Sequence, residues 1–451
     1  MLPTSAESTV RTAGTTLTDA SRPVLVRGGR LVDPAAGFDA VVDLLVEDGT
    51  VSRLSKPFEA PDRDASVVDA DGLWLFPGLT DMHVHLREPG ATASETVESG
   101  LRAAIAGGFT RVAAMPNTDP PVDTPARVAE MAERGRLAGT ADLLVVGCVT
   151  RGRKGDAVAD IGGMALAGAA AFSDDGSPVL DPGLLAEAMA ATGAAGRVFI
   201  QHAEITDLSR GGAVNLGPVS RELGLAGIPD SSETGAVALT LETAIACGGR
   251  VHLTHLSLPG SVDLVREAAD RGACATCDVT PHHLALDESE VLRSGACAKM
   301  NPPLRSARDR EGLVERTRAG RIDAVASDHA PHEARLKEAG LAGAPFGITG
   351  LETALPVTFD ALGRMGAMSP LRMLSLFTTG PASILGVPCP SLAPGRPFEA
   401  VLFDPYEEWT PSRDNTFSRS TNTPFLGRTL RGRVRAVWKR RLVYFDGDFV
   451  P

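Results

Sequence analysis

Residues 95–115 read ETVESGLRAAIAGGFTRVAAM, an Ala-rich amphipathic stretch followed directly by a short apolar run. The same alternation recurs between about residues 76 and 375, for example in DPGLLAEAMAATG (181–193) followed by RVFIQHAE (197–204). Apolar periodicities of this kind predict helices that alternate with strands. Alternation over so long a segment predicts a parallel α/β barrel. The other strand-like runs are DLLVVGCV (142–149), GAAAFS (168–173), RVHLTHLS (250–257), ACATCDVT (273–280) and IDAVASDH (322–329).

The two ends of the chain have a different pattern, in which short β-branched runs are separated by Gly-Gly and Asp-Gly turn signals. They include PVLVRGGRLVD from residue 23 and VRAVWKRRLVYFDGDFV, which ends at residue 450. We expect residues 23–75 and 376–451 to form one small antiparallel β domain together, beside a barrel of residues 76–375. Residues 1–22 are rich in Ser and Thr and are predicted to be a flexible tail.

The composition excludes several classes of protein. Lys and Arg number 44 against 56 Asp and Glu, a net charge of −12, which disfavours nucleic acids and anionic lipid surfaces as partners. No apolar stretch approaches the roughly 18 uncharged residues of a membrane helix. Six cysteines are sparse for 451 residues and predict a reducing, cytoplasmic setting without a disulfide framework.

The histidines indicate where the chemistry lies, because all nine fall at or just beyond a predicted strand. The C-terminal ends of barrel strands meet at one mouth, so this distribution would gather imidazoles in one site. Convergent imidazoles predict a metal centre. The nine are His83, His85, His202, His252, His255, His282, His283, His329 and His332.

Two motifs carry most of the metal signal. In DMHVHLREPG (81–90), His83 and His85 are two residues apart and share one face of a strand, as ligands of one zinc-like ion would. Ordinary hydrogen bonding of both rings is the alternative. In AFSDDGSP (171–178), Asp174 and Asp175 follow an apolar strand and would repel each other without a cation, although a solvated turn is also compatible.

Other residues are suited to the reaction itself. Asp328 ends the apolar run before ASDHAPH (326–332) and could act as a general base beside a metal. Arg87 and Asn117 could hold a substrate carboxylate or amide, although Arg87 could instead pair with a local acid. Cys274 and Cys277 form CATC, but on a strand they face opposite ways, so we expect core thiols rather than a metal site.

The combined motifs resemble the long bacterial dihydroorotases of the cyclic amidohydrolase family, from about residue 23 to the C-terminus. The resemblance implies a TIM-like (β/α)8 metal-dependent hydrolase barrel, a small β-sandwich domain built from both chain ends, and one or two zinc ions, with two favoured. The motifs occur in the order DMHVHLREPG, MPNT, FSDDG, QHAE, HLTHLS, TPHHL, MNPPLR, SDHAPH and PFGITGLE.

The resemblance also assigns roles to individual residues. It implies that His83, His85 and Asp328 bind the first metal and that His202 and His255 bind the second, with Asp175 bridging the two. Related hydantoinases and allantoinases use a carbamylated lysine as the bridge, whereas GAAAFSDDG contains no lysine. The implied substrate contacts are His85, Arg87, Asn117, Asn301, His332, Phe346 and Gly347.

The implied reaction is the reversible cyclisation of N-carbamoyl-L-aspartate to L-dihydroorotate and water, a step of de novo pyrimidine synthesis, with Asp328 transferring the proton. The alternatives are another cyclic amidohydrolase, such as an allantoinase or hydantoinase, and a catalytically silent homologue that scaffolds aspartate transcarbamoylase. All six candidate ligands are present, which favours an active enzyme. Partnership with the transcarbamoylase and a homo-oligomeric state are further expectations. The remaining histidines are expected to pack or hydrogen-bond behind the ligands, with His329 facing away from Asp328.

Overall fold

Residues 22–57, 65–363 and 367–450 are described by a computed structural model of the protein. The tail predicted for residues 1–22 lies outside these residues, apart from Arg22. Among the described residues, no helix has the length and apolar character needed to cross a bilayer.

The described part of the N-terminal segment contains five short strands. The hairpin between the second and third turns at Asp48 and Gly49, whose φ values of 50° and 68° are the left-handed values that a type I′ turn requires. The Asp-Gly turn signal is therefore confirmed at this position. The strands are β1 (Val24–Asp33), β2 (Phe38–Glu47), β3 (Thr50–Ser55), β4 (Ser66–Asp69) and β5 (Trp74–Pro77).

The central segment contains an eight-stranded parallel sheet in the order β6-β7-β8-β9-β10-β13-β14-β15, and β11 and β12 form a separate pair. A parallel bridge between Val84 and His329 joins the last strand to the first, so the barrel is nearly closed and the predicted fold is confirmed. The strands are β6 (Leu79–Val84), β7 (Phe109–Ala114), β8 (Asp142–Gly147), β9 (Ala171–Ser173), β10 (Val198–His202), β11 (Val214–Asn215), β12 (Gly227–Ile228), β13 (Arg250–Thr254), β14 (Cys274–Val279) and β15 (Ala324–Val325).

The helices lie between the barrel strands and begin at polar caps. The Thr96 side chain accepts a hydrogen bond from the Ser99 N–H at the start of the first helix, and Thr124 and Asp181 cap two helices that begin with proline. The helices are α1 (Val97–Ala106), α2 (Pro125–Ala138), α3 (Ile161–Leu166), α4 (Pro182–Ala194), α5 (Thr206–Ser209), α6 (Pro218–Leu223), α7 (Asp230–Cys247), α8 (Pro259–Asp270), α9 (Pro281–Ala285), α10 (Glu290–Ser294), α11 (Ala307–Arg318), α12 (Ala334–Lys337), α13 (Gly340–Gly343), α14 (Ala354–Ala361), α15 (Pro370–Ser375) and α16 (Thr379–Leu385). Short 3-10 turns lie at Arg151–Arg153, Gly295–Ala298 and Arg413–Asn415.

The last strands return to the first ones, because the strand that begins at Glu399 pairs with β5. Both chain ends thus form one nine-stranded sheet in the order β19-β18-β17-β16-β5-β1-β2-β3, with β4 also on β1. Most pairs are antiparallel as predicted, but β4 and β5 run parallel to β1, β4 beside Val24–Arg27 and β5 beside Arg30–Leu31. The strands are β16 (Glu399–Trp409), β17 (Leu430–Lys439), β18 (Arg441–Phe445) and β19 (Asp448–Phe449).

This sheet packs against the barrel with one face and encloses an apolar core with the other. In β5, Trp74 and Phe76 belong to the core shared with the barrel, whereas Leu75 between them belongs to the core of the end domain. The predicted boundaries between the end domain and the barrel, at residues 75 and 376, remain a prediction.

Inside the barrel, a separate apolar cluster includes Met82 and Met115, together with Ile384 and Leu385 at the end of α16. The cluster gives the barrel a packed interior.

The two cysteines of CATC have different environments. Cys277 is a buried free thiol, as predicted, but Cys274 is exposed, so the prediction of a core thiol is wrong there. Cys274 is the first residue of β14, before the strand enters the core.

Candidate metal centre and substrate cavity

The mouth of the barrel contains three non-glycine residues with left-handed backbone conformations. Arg87, His255 and Asp328 have φ values of 58°, 42° and 47°. Each lies within a few residues of the end of a barrel strand, namely β6, β13 and β15. Such conformations are uncommon outside glycine and cluster at functional sites. The strain therefore marks the mouth of the barrel as a site where side-chain direction matters.

The Asp175 carboxylate lies at the centre of the predicted ligands. Its Oδ1 is 3.4 Å from His83 Nε2, 3.5 Å from His202 Nδ1 and 3.5 Å from His255 Nε2. Its Oδ2 is 3.6 Å from His85 Nε2. The structure thus brings four of the nine histidines around one carboxylate, in two three-residue groups that share Asp175.

Asp174, the neighbour of Asp175, has a different environment. It accepts hydrogen bonds from the backbone N–H groups of Val149 (2.8 Å) and Thr150 (3.2 Å) and from the Thr150 hydroxyl. Asp174 therefore holds the loop after β8, while Asp175 faces the histidines. The sequence left both carboxylates open as ligands, and the geometry separates them.

The hydrogen bonds of His83 and His85 determine which ring nitrogen faces Asp175. His83 Nδ1 lies 2.9 Å from Thr254 Oγ1, and the Thr254 hydroxyl donates to Asp278 Oδ2 at 3.1 Å. His83 Nδ1 must therefore carry the proton donated to Thr254, which leaves a lone pair on Nε2. His85 Nδ1 likewise donates to Asn117 Oδ1 at 2.8 Å, because the Asn117 amide donates to Asp175.

The same argument applies to His202, whose Nε2 donates to Glu204 Oε2 at 3.0 Å. Its Nδ1 lone pair then faces Asp175 and also His255 Nε2, which is 3.0 Å away.

Lone pairs that face one another require a positive charge between them, from either protons or a metal ion, and the ligand geometry tests the fit to a metal. His83 Nε2 and Asp175 Oδ1 are buried and find no hydrogen-bond partner among the described residues. Two ligands at about 2.1 Å from a tetrahedral ion lie about 3.4 Å apart, close to the separations around Asp175. Imidazole and carboxylate are also the ligands that zinc prefers. The donor set fits a divalent metal.

Asp328 completes the group around His83 and His85. Its Oδ1 lies 3.2 Å from His85 Nε2 and 3.7 Å from His83 Nε2. Burial favours protonation of Asp328, but the adjoining rings of His85 and His83 hold its pKa well below the usual range. Asp328 is therefore ionised at neutral pH, as a metal ligand or a proton acceptor must be.

The electrostatics of the cluster favour positive charge at its centre. Burial alone lowers the pKa of His83, but the carboxylates of Asp175 and Asp328 outweigh burial and raise the pKa to about 9. Burial of His202 is likewise outweighed by Asp175 and Glu204, which raise its pKa to about 10. A metal ion would supply the positive charge that these protons otherwise bring.

A cavity of about 230 Å³ opens beside this cluster. The volume suits a small ligand rather than a large cofactor. Every predicted site residue except the fully buried His83 lines it, and no lysine is among the described residues of its wall. The wall consists of His85, Arg87, Asn117, Asp175, Gly176, His202, His255, Asn301, Asp328, Ala330, His332, Phe346 and Gly347.

Arg87 gives the cavity a positive side. Its Nε donates to the Pro331 carbonyl at 3.1 Å, and its Nη2 lies 3.3 Å from His332 Nε2. His332 Nε2 also lies 2.7 Å from the Phe346 carbonyl, which can only accept, so this nitrogen carries a proton and cannot accept from Arg87. The terminal N–H groups of Arg87 are therefore available to an anion.

Burial affects both of these cavity residues. It lowers the pKa of Arg87 to about 10, which leaves the guanidinium charged near neutral pH. Burial and the charge on Arg87 lower the pKa of His332 to about 3, so His332 is a neutral hydrogen-bonding group.

The remaining predicted substrate contacts already have partners in the protein. Asn301 Nδ2 donates to Glu204 Oε2 at 3.1 Å, and the Gly347 N–H donates to the Lys299 carbonyl at 2.9 Å. The Gly347 carbonyl also accepts from Asn422 Nδ2 at 3.0 Å, so both backbone groups of Gly347 are hydrogen-bonded within the protein.

Sequence reasoning missed the residues that orient the histidines, namely Thr254, Asp278 and Glu204. Asp278 lies near the end of the apolar run ACATCDVT, a signal similar to the one that identified Asp328, and Glu204 lies in the QHAE motif. Thr254 gave no such signal. His252 Nε2 donates to Asp278 Oδ2 at 2.8 Å, and His329 Nε2 lies 3.3 Å from Glu95 Oε2, so both rings have partners outside the central cluster.

Comparison with known proteins agrees with this geometry. The Dihydro-orotase-like family matches residues 72–260, and the Amidohydrolase family matches residues 233–449. The chain is 44% identical to the dihydroorotase of Pelotomaculum thermopropionicum over 91% of this chain and 95% of that protein. It is 39% identical to the dihydroorotase of Aquifex aeolicus over 94% of this chain and 99% of that protein.

Solved structures show the same fold. The L-hydantoinase (dihydropyrimidinase) of Arthrobacter aurescens superposes with a TM-score of 0.84 at 25% identity, over 95% of this chain and 98% of that one. The dihydropyrimidinase of Brevibacillus agri superposes with a TM-score of 0.80 at 22% identity, over 95% of this chain and 96% of that one, which is a likeness of fold alone. Because its sequence relatives match it over nearly their whole length and its histidine cluster fits a metal cofactor, the chain belongs to the dihydroorotase family of the amidohydrolases.

Proposed function

We propose that the protein is a dihydroorotase that interconverts N-carbamoyl-L-aspartate and L-dihydroorotate. The observation that carries this proposal is the Asp175 carboxylate at the centre of four histidines, in a cavity whose other side presents Arg87. An aspartate bridge and a lysine-free wall favour this reaction over that of the hydantoinases and allantoinases, which the resemblance associates with a carbamylated lysine.

We assign the anionic end of the substrate to Arg87, Asn117 and His332. Among the described contacts, the terminal N–H groups of Arg87 face no acceptor, because His332 Nε2 carries a proton. A planar guanidinium matches a carboxylate in two parallel hydrogen bonds. His332 is neutral and therefore adds no charge, but its ring would restrict where the substrate carboxylate can bind. Asn301 and the backbone at Phe346 and Gly347 would hold the ring, and His85 lies where it meets the metal side.

We assign the metals to the two groups that share Asp175. His83, His85 and Asp328 would hold one ion, and His202 and His255 the other. We propose zinc with two ions per subunit, because the donors are imidazole and carboxylate in both groups. When bound, the metal supplies Lewis-acid polarisation of the ring carbonyl and lowers the pKa of a water molecule toward neutrality.

The proton transfers fall to Asp328. In the hydrolytic direction, Asp328 Oδ accepts a proton from the attacking water and delivers it to the leaving ring nitrogen, so that the amide C–N bond breaks as the new C–O bond forms. In the cyclising direction, Asp328 removes a proton from the ureido nitrogen as that nitrogen attacks the side-chain carboxyl carbon, and it returns the proton to the hydroxyl group whose C–O bond breaks, so that water leaves. This role is supported by the position of Asp328 Oδ1, which lies 3.2 Å from His85 Nε2 and 3.7 Å from His83 Nε2.

Three further expectations remain proposals. A reducing, cytoplasmic setting is supported by the six cysteines, all within the described residues and all free thiols. A homo-oligomer and partnership with aspartate transcarbamoylase rest on the family alone. Size-exclusion chromatography with light scattering, with and without the transcarbamoylase, tests both.

The experiment that tests the function is a substrate panel. Purified protein of measured metal content is incubated with L-dihydroorotate, hydantoin and allantoin, and each is followed by its ultraviolet absorbance. We expect metal-dependent loss of dihydroorotate alone. Turnover of hydantoin or allantoin in its place would reject the assignment, and bound metal without any turnover would favour the silent scaffold.

A further inference from the structure

The chain between β16 and β17 leaves the end domain and reaches the barrel mouth. Within it, Ser420 Oγ donates to the Ser94 carbonyl at 2.7 Å, and the backbone carbonyl of Asn422 accepts from the Thr349 N–H at 3.0 Å. The segment is therefore attached to the loop after β6 and also to the stretch that carries Phe346 and Gly347. A part of the chain outside the barrel thus contacts the wall of the substrate cavity.

The Asn422 side chain makes the densest of these contacts. Its Oδ1 accepts from the His332 N–H at 2.9 Å, and its Nδ2 donates to the carbonyls of Ala330 at 3.1 Å and Gly347 at 3.0 Å. Asn422 is 3% exposed, so these bonds do not compete with solvent. One carboxamide thus joins two separate stretches of chain that both line the cavity.

These three hydrogen bonds require an amide side chain at position 422. The carbonyls of Ala330 and Gly347 both need a donor, whereas the His332 N–H needs an acceptor, and only an amide provides two donors and an acceptor in one side chain. Without it, buried polar groups on both stretches would lose their partners and the stretches would move apart. His332 would then shift relative to the Phe346 carbonyl, and Arg87, which donates to Pro331, would shift with it.

We propose that Asn422 is a positioning residue for the anionic end of the substrate cavity, acting through His332 and Gly347. This inference rests on the proposed function, because the roles of these two residues do. Asn422 touches neither the reacting atoms nor any candidate metal ligand. Its loss therefore weakens substrate capture and leaves the metal centre and the chemical step intact.

The test compares Asn422→Ala with Asn422→Asp, measuring KM and kcat for dihydroorotate and the metal content of each variant. The alanine variant loses the three bonds, and its KM should rise about tenfold or more, which corresponds to about 1.4 kcal/mol. The aspartate variant keeps the shape but turns an acceptor toward two carbonyls, so its KM should rise further. The kcat should stay within about threefold of wild type and the metal content should be unchanged.

Asn415 supplies a matched control from the same segment. Its side chain also makes two hydrogen bonds, to the Ser412 N–H at 2.8 Å and the Thr410 carbonyl at 2.9 Å, but both are local. Asn415→Ala should therefore leave KM unchanged. If Asn422→Ala does not fold, Asn422→Ser is the second variant. It retains one hydroxyl donor, so its KM should lie above that of wild type and below that of Asn422→Asp.

Several results would overturn the inference. These are an unchanged KM in the Asn422 variants, a smaller effect of aspartate than of alanine, a loss of metal, a fall in kcat alone, or an equal rise of KM in Asn415→Ala. Failure of the wild-type protein to turn over dihydroorotate would instead reject the proposed function, so the two failures are distinguishable.

Discussion

Asparagine at position 175 would remove one negative charge from the centre of the histidine cluster while keeping the shape of the side chain. The Asp175 oxygens lie 3.4 Å from His83 Nε2, 3.5 Å from His255 Nε2 and 3.6 Å from His85 Nε2. Unit charges about 4 Å apart interact by about 4 kcal/mol at an effective dielectric constant of about 20. At about 1.4 kcal/mol for each factor of ten, we expect Asp175→Asn to weaken zinc binding about a thousandfold.

The assay equilibrates wild type and variant against a graded series of zinc–chelator buffers and measures bound zinc by mass spectrometry. Asp174→Asn is the matched control, because it makes the same chemical change one residue away. Asp174 faces Val149 and Thr150 instead of the histidines, so this control should keep its zinc. It should lower the free energy of unfolding by about 1–3 kcal/mol through the weakened hydrogen bond from the Thr150 hydroxyl.

Wild-type zinc affinity in Asp175→Asn would refute the bridging role. An equal loss of zinc in both variants would refute it too, since the loss would then follow from disorder of the shared loop.

Three other perturbations have separate expected outcomes. Asp328→Asn should reduce turnover in both directions by at least about a hundredfold, because an amide cannot shuttle a proton, and near-normal steady-state rates would exclude that role. Arg87→Met should raise KM for dihydroorotate about tenfold or more with a smaller effect on kcat, since it removes the charge that we assign to the substrate carboxylate; an unaltered KM would reject that assignment. Burial raises the pKa of Glu352 from 4.5 to about 8, so its contribution to stability is complete below pH 4.5 and is lost as the pH rises through 8. Urea unfolding between pH 6 and 8 should therefore show stability falling by up to about 1.4 kcal/mol per pH unit from this group, and Glu352→Gln should flatten that decline; identical slopes would contradict it.

The barrel strands were predictable because a strand buried on both faces reads as an apolar run. ACATCDVT (273–280) contains β14 at Cys274–Val279, and RVHLTHLS (250–257) contains β13 at Arg250–Thr254. The last strand is shorter than its run IDAVASDH (322–329) and covers only Ala324–Val325. The chain turns there at Asp328, whose φ of 47° is incompatible with a continuing strand.

Contacts between distant parts of the chain were not predictable. Asp174 and Asp175 follow the same strand, and only the position of Thr150 in the preceding loop decides which of them faces the histidines. Asn422 contacts Ala330, 92 residues earlier, and belongs to a segment whose local pattern indicates neither a site nor a strand. Hydrophobic periodicity indicates which residues of one helix or strand are buried, whereas these contacts depend on how separate elements pack together.

Zinc titration of metal-free protein, with dihydroorotate turnover and bound zinc measured on the same samples, tests most directly whether the Asp175-centred cluster is the working centre. We predict no turnover without metal and a rise that saturates as both donor groups fill, with no such rise in Asp175→Asn at the same total zinc. Full turnover in the metal-free protein, or wild-type turnover in Asp175→Asn at that zinc concentration, would contradict the account.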